Sequence, residues 1–245
     1  MTNTVKSKKQ KQQYPFERFA SIRRYTDFDF LKKNNDWMVY ISDINGQFNL
    51  WRYRYIFNSK QEQECSSSYP LTNFVEDSVR RVFSSPIDNS VIFFADHQGN
   101  ENFQIYKIDD IFNSWPESIT FNPQIRYEWG SECFSHDGKY IAYGSNERDP
   151  SNMQIYVKNM KSDNNDSFCI TDREGWYIPG YWSHNNKKLN CSQLVTLSEY
   201  SIWILDVENR NMEKIDLGNN KEKSRFIVGP WSLNKNGFYV LSDLK

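Results

Sequence analysis

Apolar residues along this chain gather in short runs separated by Gly, Asn, Asp, Pro and Ser. Met38–Ile41, Val91–Ala95, Tyr140–Tyr143 and Phe238–Leu241 are apolar nearly throughout. Trp51, Tyr53 and Tyr55 instead alternate with Arg52 and Arg54. No stretch sustains the 3.6-residue spacing of a long helix. Runs this short, bounded by turn residues, read as β-strands. The connections are too short for helical crossovers, so consecutive strands are expected to pair as antiparallel hairpins. Continuous apolarity implies that both faces of a strand are covered, whereas a sheet with one wet face would alternate. The alternating strand at 51–55 suits a place nearer a rim.

Three phrases recur on one beat. A Ser followed by a polar turn opens Ser85-Pro86-Ile87-Asp88, Ser135-His136-Asp137-Gly138, Ser183-His184-Asn185-Asn186 and Ser232-Leu233-Asn234-Lys235, at intervals of 50, 48 and 49 residues. An aliphatic–aromatic pair recurs at Leu50-Trp51, Ile105-Tyr106, Ile155-Tyr156 and Ile202-Trp203. A third phrase closes each unit at Leu71-Thr72, Ile119-Thr120, Ile170-Thr171 and, more weakly, Ile215-Asp216. Each unit holds about four strand-like segments; in the second they are Arg81–Ser84, Val91–Ala95, Phe103–Asp109 and Ser118–Thr120. A four-stranded antiparallel unit repeated every ~40–50 residues is the signature of a propeller blade. The expected fold is all-β: a β-propeller with four-stranded antiparallel blades, four blades plus part of a fifth, in an incomplete ring. The expected divisions are a disordered basic tail at 1–13 and a partial propeller at 14–245. Its blades span 25–75, 76–129, 130–179 and 180–229, with a partial blade at 230–245. Trp129, Trp176, Trp182 and Trp231 recur near blade starts and are expected between blades. The fourth unit is the weakest, because Leu189-Asn190-Cys191-Ser192 is only half apolar.

These phrases carry a resemblance. Ser-His-Asp-Gly-Lys-Tyr-Ile-Ala-Tyr at 135–143 resembles the repeat of TolB-like propellers. The succession Tyr14-Pro-Phe-Glu-Arg-Phe19, Gly99-Asn-Glu-Asn-Phe-Gln-Ile-Tyr106, Ser145-Asn-Glu-Arg-Asp-Pro150 and Gly229-Pro-Trp-Ser232 is similar to the propeller of prolyl oligopeptidase-family serine peptidases, particularly the acylaminoacyl-peptidase-like branch. The likeness covers about residues 14–245. In that family a propeller of about seven or eight blades precedes an α/β-hydrolase domain and restricts access to short peptides. The resemblance thus implies a non-catalytic propeller portion that gates or binds peptide for a hydrolase domain. This chain departs from the pattern in having fewer blades and no hydrolase domain. It also loses the turn Pro-Asp-Gly at 183–186 and 232–235. The implied partners are an α/β-hydrolase domain or second propeller portion, and peptide. The competing reading is a free-standing scaffold for protein–protein interaction, completed by another copy through an exposed blade edge. Such an edge predicts poor solubility or self-association.

Composition and motifs narrow the chemistry. Aromatic residues make up 16% of the 245 positions, which favours pleated, half-buried surfaces. A net charge of −1 gives no global field toward nucleic acid or membrane. Mean hydropathy is −0.80, and no apolar run approaches the ~18–20 residues of a spanning helix. Lys6, Lys8, Lys9 and Lys11 are followed by no apolar stretch, so no secretory signal is read and a cytoplasmic, reducing location is expected. Cys65, Cys133, Cys169 and Cys191 show no C-x-x-C spacing and read as thiols. Sequons at Asn165 and Asn190 carry little meaning without secretion. No glycine is followed two positions on by Ser, so the G-x-S-x-G nucleophile elbow is absent from the sequence.

No catalytic residue, cofactor site or metal site is assigned. His136 and His184 occupy equivalent turn positions, and His97 falls in a loop. Asp43-Ile-Asn-Gly46, Asp96-His-Gln-Gly-Asn-Glu101 and Asp172-Arg-Glu-Gly175 resemble fragments of calcium loops but lack the full ligand set, and read as tight turns. Arg23-Arg24 and Arg80-Arg81 adjoin inner strands and read as salt-bridged packing, with contact to a substrate or partner as the sharper alternative.

Overall fold

The computed structural model describes residues 22–55, 67–162, 166–216, 225–234 and 237–243. The basic tail at 1–13, the motif at 14–19, Cys65 and the sequon at Asn165 lie outside the described residues. Among those described there are eighteen strands and no helix. The first sheet is β1 (Tyr25–Phe30), β2 (Trp37–Ser42), β3 (Asn49–Arg54) and β4 (Ser68–Pro70). The second is β5 (Asp77–Ser84), β6 (Val91–His97), β7 (Gln104–Ile108) and β8 (Glu117–Ser118). The third is β9 (Tyr127–Glu128), β10 (Tyr140–Ser145), β11 (Gln154–Asn159) and β12 (Ser167–Cys169). The fourth is β13 (Trp176–Trp182), β14 (Lys188–Thr196), β15 (Glu199–Asp206) and β16 (Asn211–Lys214). A fifth sheet pairs β17 (Phe226–Trp231) with β18 (Phe238–Ser242). Every sheet is an antiparallel meander in chain order. The fold is therefore the all-β, bladed one expected, and the sheets do not close into a ring.

The first strands of three blades fall across the divisions read from sequence. Strand β9 precedes residue 130, β13 spans 179/180 and β17 spans 229/230. Two causes are visible. Strand β9 is only two residues long and stops before Trp129-Gly130, leaving no apolar run to read. Pro179-Gly180 and Gly229-Pro230 read as turns but lie inside strands whose register shifts between Pro179 and Trp182 and between Val228 and Trp231. A proline is tolerated there because β13 and β17 are edge strands, where a missing N–H breaks no ladder and a bulge absorbs the kink.

Each repeated phrase has a hydrogen-bonding reason. The Ser of the turn donates its hydroxyl to the Asp or Asn two residues on: Ser135 to Asp137 at 2.6 Å, Ser183 to Asn185 at 2.8 Å and Ser232 to Asn234 at 2.6 Å. The same hydroxyl accepts the amide of Tyr140 or Lys188 at 2.9 Å, closing the hairpin. The Thr at the end of each unit reaches back to the aliphatic–aromatic pair. Thr72 Oγ1 accepts from Leu50 N at 2.9 Å, Thr120 Oγ1 from Ile105 N at 2.9 Å and Thr171 Oγ1 from Ile155 N at 3.0 Å. A threonine hydroxyl thus satisfies an amide at the point where the short outer strand has ended.

Packing runs from blade to blade. One cluster joins the first and second blades around Val39, Ile41, Val82 and Phe93. Another joins the second and third around Phe94, Phe103, Tyr127 and Ile141, with Trp129 packed edge-on to Phe94 at 5.6 Å. A third joins the third and fourth around Ile155, Tyr177, Trp182 and Leu205. The half-apolar run at 189–192 is nevertheless fully buried. Asn190 Oδ1 accepts the Tyr181 amide at 2.7 Å, and its Nδ2 donates to Gly229 O at 2.9 Å, so this polar residue ties the fourth blade to the fifth.

Two outcomes are expected from this packing. Thr120→Val, of similar shape, strands the buried Ile105 amide and should cost about 1–3 kcal/mol in urea unfolding, whereas Thr120→Ser should cost less. Phe94→Ala removes a fully buried ring between blades and should cost about 3–5 kcal/mol in the same measurement.

Candidate functional site

Strands β1 and β5 and the segment that follows β9 converge on a pocket of about 280 Å³. It lies at the end of the blades that carries the repeated Ser turns, because Ser84, Pro86 and His136 all line it. The first blade contributes Phe28, Asp29 and Lys32, the second Arg81 and Ser84, and the third Glu132. Charges of both signs therefore meet where three sheets abut.

Register places these groups. Residues alternate across strand β1, so Asp27 and Asp29 point the same way, toward the second blade. Asp27 accepts the Val82 amide at 2.9 Å and pairs with Arg81 Nη1 at 3.0 Å. Asp29 accepts the Ser84 amide at 2.8 Å and pairs with Lys32 Nζ at 3.1 Å. Burial raises the Asp27 carboxyl above its ordinary range, outweighing the Val82 amide and the Arg81 charge, which act the other way. Ser84 Oγ is buried, has no hydrogen-bond partner among the described residues, and sits on the wall of the pocket.

Glu132 joins the third blade to the fourth. Its Oε2 accepts the Trp182 amide at 2.9 Å, and its Oε1 lies 3.6 Å from His136 Nδ1. Burial raises its carboxyl, against the lowering effect of the Trp182 amide and of His136 and His184. The two histidine rings stack at 5.7 Å with an interplanar angle of 20°. His136 Nε2 lies 3.1 Å from Trp182 O and His184 Nε2 lies 3.1 Å from Ser232 O, each a carbonyl of the following blade. A carbonyl can only accept, so Nε2 carries the proton and Nδ1 is left as the acceptor of the neutral ring.

The turn reading of His136 and His184 thus gains a further role, since each ring also latches its turn onto the next blade. His97 is elsewhere. It pairs with Asp77 at the opposite end of the β5–β6 hairpin from the pocket, Nδ1 to Oδ1 at 2.7 Å. The structure therefore brings two histidines together and keeps the third apart.

Arg24 and Arg80 are accounted for by ion pairs. Arg24 pairs with Asp43 at 2.9 Å and Arg80 with the buried Asp96 at 2.7 Å. Asp43 is held low by the Arg24 amide first, and by the Arg24 side chain. Gly46 and Gly175 have φ of 94° and 138°, as tight turns require. Among the described residues no group of three or more His, Cys, Asp or Glu is arranged to hold a metal. Cys133 and Cys191 are fully buried thiols, pushed up by burial, and Cys169 is half-buried.

Sequence reasoning passed over Asp27, Asp29 and Glu132. For Glu132 a signal existed: three residues before the repeat Ser stand Val82, Glu132, Gly180 and Gly229, so a charge replaces small or apolar residues once in four. The two aspartates carry no such signal.

No family profile and no curated protein sequence matches the chain. Solved structures do. A prolyl endopeptidase is similar with a TM-score of 0.62 and 14% identity, over 88% of this chain and 32% of that one. TolB from Acinetobacter baumannii is similar at 0.54 and 15% identity, over 84% of this chain and 48% of that one. An oligogalacturonate lyase solved with manganese is similar at 0.64 and 12% identity, over 89% of this chain and 58% of that one. The chain spans about a third of the length of the endopeptidase and about half that of TolB. Identities this low establish the fold alone: a β-propeller of the kind shared by TolB and the prolyl endopeptidases.

Proposed function

We propose that this chain is the non-catalytic propeller portion of a prolyl oligopeptidase-like serine peptidase, and that it binds or gates peptide for a hydrolase domain outside these 245 residues. The observation that carries this reading is the pocket where the first three blades meet. It offers Glu132 and Asp29 to peptide donors, and Lys32, Arg81 and the unpartnered Ser84 hydroxyl to peptide acceptors. A peptide is the common ligand class that presents both at short spacing. The structural likeness to prolyl endopeptidases supports the same reading. The competing scaffold reading draws on the uncovered apolar faces at the two ends of the blade series.

Titration calorimetry with the peptide Gly-Pro-Gly-Pro-Gly is expected to show saturable binding at pH 7.5. Glu132→Gln should weaken it about 10-fold, the loss of one charge-assisted hydrogen bond. Because burial raises the Glu132 carboxyl, the acid takes up its proton at a higher pH than an ordinary glutamate. Binding through the ionised form should therefore fall as pH drops, starting above the usual glutamate range, and Glu132→Gln should flatten that profile. No binding at any pH, or binding indifferent to Glu132, would refute the pocket. Independently, the DNA following codon 245 is expected to encode a G-x-S-x-G elbow, in frame or across a frameshift. Unrelated sequence there counts against the peptidase assignment.

A further inference from the structure

The chain holds a second and larger cavity, of about 510 Å³, between the second and third blades. The segment that leaves β8 supplies Phe121 and Asn122, and the third blade supplies Tyr127, Tyr143 and Glu147. Each of these two blades has a packed neighbour on either side, so the cavity is formed wholly inside the blade series. Strand β10 starts beyond the Ser135 turn and ends at Ser145. Glu147 therefore stands at the opposite end of the blades from the charged pocket.

The walls combine aromatic rings with a single charge. The Tyr127 and Tyr143 rings meet at 5.9 Å and 62°, and Tyr143 stacks on Tyr156 at 5.9 Å and 10°. Phe121, also on the wall, is 80% exposed. Among the described residues that line the cavity, Glu147 alone is charged. The acids around it are neutralised, Glu101 and Glu128 by Arg126 and Glu117 by Lys107, whereas Glu147 has no ion pair among the described residues. Its backbone is held in place. Ser145 Oγ accepts the Glu147 amide at 3.2 Å, and Asn146 Oδ1 accepts the Arg126 amide at 2.8 Å. Its charge reaches the rings, since burial first and then Glu147 push the Tyr127 phenol up to about 12. On the far side of Phe121 a cavity of about 340 Å³ also holds a carboxylate, Asp77, but His97 Nδ1 already engages it at 2.7 Å.

We propose that the cavity between the second and third blades binds an alkylammonium group, its charged head at Glu147 and its apolar stem against Phe121, Tyr127 and Tyr143. A carboxylate without a counter-ion beside aromatic rings favours a cation twice, by direct charge and by the ring quadrupole. An apolar stem covers ring surface that a bare metal ion would leave wet. A hard metal ion also needs several oxygen ligands, and the described residues cluster no such set. An anion would meet the Glu147 charge with nothing in the wall to offset it. A free amine and a lysine side chain present the same head and stem, and the test separates them. The site is distinct from the pocket assigned to peptide and does not depend on that reading.

Saturation-transfer difference NMR on the 245-residue chain at pH 7.5 tests it, with n-butylammonium as the probe. Saturable binding is expected, and n-butanol, of similar size but uncharged, should bind at least about 10-fold more weakly. Glu147→Gln should weaken the amine about 5-fold or more, and Glu147→Asp, which keeps the charge, should recover part of that loss. Phe121→Ala should weaken it about 3-fold. Both side chains are exposed, so near-ultraviolet circular dichroism should stay that of the wild type. Trp115→Ala, at an 85% exposed ring that lines neither this cavity nor its neighbour, should change nothing. Displacement of n-butylammonium by Nα-acetyl-lysine N-methylamide supports a lysine side chain as the source, and retention of the amine supports a free amine. No saturable binding of n-butylammonium, equal binding of n-butanol, or indifference to Glu147→Gln would overturn the proposal.

Discussion

A four-stranded blade is apolar on both faces and cannot bury either by itself. That constraint organises the whole chain. Phe94, Ile155 and Leu205 are buried because the adjoining sheet lies against them, and the apolar clusters each straddle two blades instead of filling one. Stability is then shared between neighbours, and each blade is worth little without the one beside it.

Polar contacts set the alignment that the apolar contacts leave free. Two stacked sheets could slide on a greasy surface, but a carboxylate accepting a particular amide admits one register. Asp27 and Asp29 do this for the second blade, Glu132 for the fourth and Asn190 for the fifth. Asp27 and Asp29 lie on β1, Glu132 just after β9 and Asn190 on β14, each where two blades abut. A Cβ on Gly130 would overlap the carbonyl of Pro179, and one on Gly180 would overlap Asn190 and Val228. Close approach and directional bonding occur at the same place, and that is why the pocket is rich in charge.

How much of this was legible in the sequence follows from whether each feature is local. The Ser turns and the Thr closures act within one blade at fixed offsets, so they recur as phrases and reveal the period. The inner strands were harder to read. Tyr127–Glu128 is two residues long, and Pro179-Gly180 imitates a turn while bulging inside a strand. The burial of Asn190 was hidden for another reason: its partners, Tyr181 and Gly229, lie on two other strands, and no composition rule anticipates them. The pocket was the least legible feature, because Asp29, Arg81 and Glu132 come together only through the stacking of three sheets. The carbonyl latches of His136 and His184 were half visible, as a repeated position without a stated purpose.

Those latches have a consequence for how such a chain changes over generations. Trp182 and Trp231 bond backward, His136 and His184 bond forward, and the offsets hardly vary between the third–fourth and fourth–fifth junctions. A duplication or deletion of the fourth repeat would bring together surfaces that already fit. At that place blade number is a quantity that recombination can alter in a single step, with the geometry of the seam preserved.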